Sequence, residues 1–153
     1  MEILINNKQN KLTLSDDLIS NIKKAILTCL EIEKYSTNVE VSLSFVDNDE
    51  IQQINKDFRN IDTPTDVLSF PLDIDFFIEN INIPLGDIII STEKAKEQSL
   101  DFGHSLEREI IYLVVHSMFH LLGYDHIEDK DAVIMRGKEK EAIRKIGIFR
   151  NEK

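Results

Sequence analysis

The chain has 153 residues, 42% of them hydrophobic and 30% charged, which suits one compact domain with its own core. Its 28 acidic and 18 basic side chains give a formal charge of −10. That excludes non-specific attachment to nucleic acid through an extended basic face, so any RNA contact has to be local. A single cysteine, Cys29, excludes an intrachain disulfide and cysteine-rich zinc motifs.

The opening segment MEILINNKQN lacks a basic stretch followed by an apolar one, and no apolar run approaches the roughly 18 residues of a membrane span. A cytoplasmic protein is expected. EILIN at 2–6 reads as a strand. Ser15 then caps a helix from about Asp16 to Lys34, in which Cys29 follows Ile19, Ile22, Ala25 and Ile26 at helical spacing as a core thiol. Residues 39–46, VEVSLSFV, alternate as a strand with one buried face. Asp47 and Glu50 form a capping pair for a helix through about Phe58.

RNIDTPTDVLSFPLDID reads as a loop feeding a brief strand at Val67–Phe70, and FFIENINIPL at 76–85 as a hairpin or a flap. Gly86 introduces DIIIS, a central strand, and Ser91 or Thr92 caps a helix through about Leu100. From Leu106 to Leu122 nearly every position beyond the first turn is apolar, which marks a buried central helix ended by Gly123. A last helix from about Asp129 to Ile146 carries Ala132, Val133, Met135, Ala142, Ile143 and Ile146. The late basic residues Arg136, Lys138, Lys140, Arg144, Lys145 and Arg150 alternate with Glu139 and Glu141 and read as a solvated face. The expected class is α+β, one domain over 1–153 with a small mixed sheet and a buried metal-binding helix.

Three of the four histidines fall in HSMFHLLGYDH, residues 116–126. His116 and His120 lie four apart, so both imidazoles leave one helix face about 6 Å apart along the axis. Gly123 permits the turn that lets His126 approach from another direction, and three ligands with an open fourth position describe a catalytic zinc site. Neutral imidazoles leave the full charge of the ion to acidify water, and zinc best suits an all-nitrogen tetrahedral set, with nickel or copper competing by affinity. The spacing also matches HExxHxxGxxH of metzincin proteases, but Ser117 occupies the place of the glutamate base, so peptidase chemistry is disfavoured. Met135 reads as a core methionine rather than one lying beneath a metal.

HSMFHLLGYDH also resembles the signature of the YbeY family of bacterial endoribonucleases, close to HGxLHLxGYDH. Two further stretches look like that family: Asn55-Lys-Asp-Phe58-Arg59 followed by Thr65-Asp66-Val67-Leu68-Ser69-Phe70-Pro71, and Leu85-Gly86-Asp87-Ile88-Ile89-Ile90-Ser91. The resemblance covers roughly 50–135. Ser117 and Phe119 depart from the usual glycine and leucine, and Ser117 is a residue able to narrow the approach to the metal. The resemblance implies a cytoplasmic, single-strand-specific, metal-dependent endoribonuclease of ribosomal RNA maturation and ribosome quality control, with RNA and a ribosomal partner. It carries the metal ligands to His116, His120 and His126, and the functional arginine to Arg59.

Cutting a phosphodiester needs an activated nucleophile and neutralisation of charge on the phosphoryl oxygens. The metal serves the first need, either by activating water or by binding phosphate beside the 2′-hydroxyl. Arg59 serves the second, with a surface ion pair to Asp57 or Asp62 as the plain alternative. Arg59 and His116 are therefore the expected catalytic residues. Asp125 reads as a turn former or a brace for a ligating ring, with proton acceptor as the alternative. Asp66 reads as a loop brace, His104 as a helix-start residue outside the ligand set, and Tyr124 as packing for the turn. A ribosome-associated factor with a structural zinc is the competing reading, and a zinc peptidase a weaker one.

Overall fold

The computed structural model describes residues 1–72 and 81–147. Four strands and five helices follow in the order β1 (Glu2–Asn7), α1 (Asp16–Ile32), β2 (Val39–Val46), α2 (Asn48–Arg59), β3 (Val67–Pro71), β4 (Ile83–Ser91), α3 (Thr92–Phe102), α4 (Leu106–Leu121) and α5 (Asp129–Ile146). The sheet order is β1-β2-β4-β3, with β3 alone antiparallel, so the fold is α+β with a mixed sheet as expected.

The caps were legible. Ser15 Oγ accepts from Leu18 N–H at 3.1 Å, Asp47 Oδ1 from Glu50 N–H at 2.9 Å, and Ser91 Oγ from Lys94 N–H at 3.2 Å, each satisfying a donor of a first helical turn. Glu50 receives Lys8 Nζ at 3.5 Å, so α2 has one half of a capping box.

The alternation in β2 sends Val39, Val41, Leu43 and Phe45 to one face, where they meet α1 and α4 with Ile88 and Ile90 of β4. Val46 and Ile89 point to the other face and pack with Ile51 and Leu68 under α2. α4 is the centre of the helical layer: it packs on α1, α3 and α5 and also reaches β3 and β4. That surround is why its sequence is apolar on most sides.

Several boundaries differ. β4 begins at Ile83, so Gly86 lies inside the strand rather than ahead of it; the register with β2 jumps from Glu40–Pro84 to Val41–Gly86, a bulge that leaves Leu85 as the extra residue. A Cβ at Gly86 would lie 2.5 Å from the Phe70 carbonyl oxygen and 2.7 Å from Leu121 Cδ2. The missing side chain thus seats the end of α4 directly against β3 and β4. In α5, Val133 is 60% exposed although its periodicity placed it inward. The buried stripe of that helix is Met135, Glu139, Ala142 and Ile146, so Met135 is a core methionine. Of the expected hairpin or flap at 76–85, residues 76–80 lie outside the described residues, and Ile83–Leu85 begin β4.

Candidate metal centre

α4 delivers two ligands and its own termination delivers the third. Leu122 caps the helix; Gly123 N–H donates to His120 O at 3.1 Å and Tyr124 N–H to Phe119 O at 2.9 Å, the double closure of a Schellman turn. Gly123 has φ +104°, a conformation that glycine adopts without cost. The rings of Phe119 and Tyr124 meet edge to face with 5.8 Å between centroids, which is the apolar contact that accompanies such a turn. Tyr124 therefore packs the turn, as the sequence implied.

The chain then returns His126 to its partners. One ring nitrogen from each of His116, His120 and His126 lies within 4.8 Å of the others. The outward ring nitrogens are committed: His116 Nδ1 donates to Glu139 Oε2 at 2.7 Å and His120 Nδ1 to the Tyr124 carbonyl at 2.9 Å. Both acceptors lack a proton to give, so each Nδ1 carries the hydrogen and each Nε2 presents a lone pair. Those two lone pairs face each other across 3.2 Å, an arrangement that is repulsive until a cation lies between them. The donor set thus fits a divalent metal ion. Burial, followed by the neighbouring His116 charge, pushes the His120 imidazole below its ordinary pKa, which keeps it in the neutral, ligating form.

The histidines open onto a cleft of about 600 Å³ whose other wall is the segment Thr65–Ser69 with Pro71. Arg59, at the end of α2, lines the same cleft. Its Nη2 donates to the Ser69 carbonyl at 2.8 Å and its guanidinium lies 5.0 Å from the Phe70 ring centroid. The alternative partners are engaged elsewhere: Asp57 accepts from Gln53 at 2.8 Å and Asp62 from Gln52 at 3.1 Å. The structure thus brings Arg59 to the histidines through β3, although about 57 residues separate it from His116 in the chain.

Asp66 braces its loop: Oδ1 accepts from Val67 N–H at 2.8 Å and from the Thr65 hydroxyl at 3.2 Å, and Oδ2 from Gln98 at 3.1 Å. Asp125 lines the cleft and accepts from Ile127 N–H at 3.4 Å, a turn-forming contact. The N–H groups of the His116 and His120 rings go to Glu139 and Tyr124 instead of to Asp125. His104 lies outside the triad, 3.0 Å from buried Glu109, whose carboxyl is pushed up by burial. Ser117 is fully buried and absent from the cleft lining, so its hydroxymethyl group does not narrow the approach to the histidines.

Sequence reasoning missed Glu139, assigning it to a solvated helix face; it is 5% exposed and holds both His116 and the Tyr112 hydroxyl, the latter at 3.0 Å. The signal was present. Glu139 follows Met135 by four and precedes Ala142 by three, so a carboxylate sits on the buried stripe of α5, where it needs a partner.

Comparison with known proteins fits this geometry. The family profile described as "Endoribonuclease YbeY" matches residues 4–147. Proteins named endoribonuclease YbeY from Finegoldia magna and Clostridioides difficile are 54% and 49% identical to this chain, over 99% and 98% of it and 98% and 99% of their own lengths. A protein of Thermotoga maritima whose structure was solved in solution aligns with a TM-score of 0.63 and 32% identity, over 94% of this chain and 88% of that one.

Proposed function

The chain belongs to the YbeY endoribonuclease family, and from that membership we propose that it cuts single-stranded RNA in ribosomal RNA maturation, with zinc at His116, His120 and His126 and with Arg59 on the phosphate. The observation that carries this reading is the convergence of three imidazole rings and one guanidinium in a single cleft. A bound zinc ion would supply Lewis acidity for a phosphoryl oxygen and for the attacking oxygen.

The residues of the chain do the remaining work. Glu139 and the Tyr124 carbonyl fix the tautomers of His116 and His120, and the Tyr112 hydroxyl, donating to Glu139, holds the carboxylate in place. Arg59 is held by Ser69 and Phe70, which leaves its other N–H groups to donate to two phosphate oxygens. Asp125 is the cleft carboxylate with lone pairs to spare, since both oxygens of Asp66 are occupied, and this suits it to accept a proton. We place this work in the cytoplasm beside a ribosomal partner, as the family resemblance implies; no helix among the described residues is long and apolar enough to cross a membrane.

The test is metal analysis together with cleavage of a single-stranded RNA by wild type and His116→Ala. Wild type is expected to carry about one zinc per chain and to cut, the variant to do neither. Undiminished cleavage by metal-free His116→Ala protein would overturn the proposal.

A further inference from the structure

A second surface begins where the metal centre ends. Tyr112 stacks on His116, with ring centroids 6.1 Å apart and planes 28° from parallel, and its far side is open to solvent. There it floors two adjoining depressions, of about 380 and 290 Å³, that share Tyr112 and Ile143. Arg136, Lys140 and Arg144 border the first; Phe102, 67% exposed, borders the second.

The three cations stand four residues apart on α5, about 6 Å of rise per step, in a single exposed row. None forms an ion pair among the described residues. Among the described residues the carboxylates lining the groove are Glu109 and Glu139, both buried and each already bonded to a histidine. On a chain with a formal charge of −10, this is a local positive row beside exposed aromatic rings. A basic track with aromatic platforms is how proteins hold single-stranded nucleic acid without reading its sequence.

We infer that the groove between α4 and α5 carries the flanking part of the RNA strand, with Arg136, Lys140 and Arg144 on successive phosphates and Tyr112 and Phe102 stacking bases. The inference rests on the cleavage proposed above and assigns that activity a second, non-cleaving subsite. Proximity decides for RNA over an acidic protein segment: Tyr112, which floors the groove, stacks on His116, which lines the cleft, so a strand leaving the cleft past His116 has the row as its nearest cationic surface. It also explains how so acidic a chain would hold RNA, because the cationic contacts are local: Arg59 in the cleft and this one row.

The test compares a 20-nucleotide single-stranded RNA with a tetranucleotide. Arg136→Glu/Lys140→Glu/Arg144→Glu is expected to raise KM for the long RNA at least tenfold, to leave kcat near wild type, and to leave tetranucleotide cleavage unchanged. The dependence of log affinity on log salt should flatten by about 2, near 0.7 per lost phosphate contact on a single strand. Phe102→Ala, at an exposed position, should weaken long-RNA binding several-fold, and the lysine-substituted Arg136→Lys/Arg144→Lys should retain most of it. Equal KM values for wild type and the triple variant on the long RNA would overturn the inference, as would equal losses on both substrates or tighter capture of polyglutamate than of RNA. If wild type cuts neither RNA, the cleavage reading fails instead, and long-RNA binding by the metal-free protein still tests the row.

Discussion

His116 and Glu139 are joined by a 2.7 Å hydrogen bond from ring Nδ1 to a carboxylate that is almost wholly buried. The bond links α4 to α5 and sets which nitrogen of His116 is free to bind a metal. Glu139→Gln should weaken zinc affinity by about 10- to 100-fold while the protein stays folded, since the loss is of a charged acceptor behind a ligand. Competition with a chromophoric chelator reads this directly. Unaltered affinity would reduce the bond to packing.

Arg59 and His120 should separate cleanly. His120→Ala is expected to lose both zinc and RNA cleavage. Arg59→Glu should keep zinc and lose cleavage by at least about a hundredfold in kcat, in the range seen when one preorganised donor to a developing charge is removed. Arg59→Lys should recover little, because an ammonium cannot reproduce the two-pronged grip or the stacking on Phe70. An Arg59→Glu enzyme with near-normal kcat would remove this residue from the reaction.

The depressed His120 pKa has a signed consequence for the zinc-free protein. Below the ordinary value of 6.5 the unfolded chain holds a proton on this ring that the folded chain binds more weakly. The contribution of His120 to stability therefore falls as pH drops below about 6.5, and is fully restored above it. Glu109, pushed the opposite way by burial, contributes with opposite sign, so the readout is a difference. In chelator, wild type should lose more Tm than His120→Gln between pH 7 and pH 5. Parallel curves would contradict it.

Ser117 is buried with a hydroxyl that has no hydrogen-bond partner among the described residues. Ser117→Ala should stabilise the protein by about 1 kcal/mol, the lower end of what an unsatisfied buried polar group costs, without altering cleavage. Ser117→Gly should be less stable than Ser117→Ala by about 1 kcal/mol, the helix-interior difference between those residues. Thermal melts of the three proteins decide it. A fall in kcat for Ser117→Ala would return this residue to the site.

The elements and ligands were legible where local chemistry dictates structure. Ser15, Asp47 and Ser91 announce helix starts, the alternation of VEVSLSFV announces a one-faced strand, and the four-residue spacing with Gly123 places three imidazoles together. What the chain hid depends on contacts between distant segments. Arg59 reaches the histidines because the Ser69 carbonyl anchors it to β3, and β3 reaches them because Gly86 lets Leu121 sit close. Neither relation has a local pattern. Glu139 is intermediate: its period marks it as inward, but alternation with exposed lysines and arginines disguised it.

The turn that closes α4 has a further meaning when the metal is regarded as a cross-link. Bridging His120 to His126 ties off only the short segment Leu121–Asp125, and short loops lose little chain entropy on closure. Leu121 belongs to the main core and Leu122 and Tyr124 pack against it, so most of that segment is anchored without the ion. Removing the ion should therefore loosen the return of the chain after Gly123 while the sheet and helices persist. With zinc bound as proposed, its removal should leave a folded scaffold with a loosened His126, and chelators should silence cleavage without melting the protein.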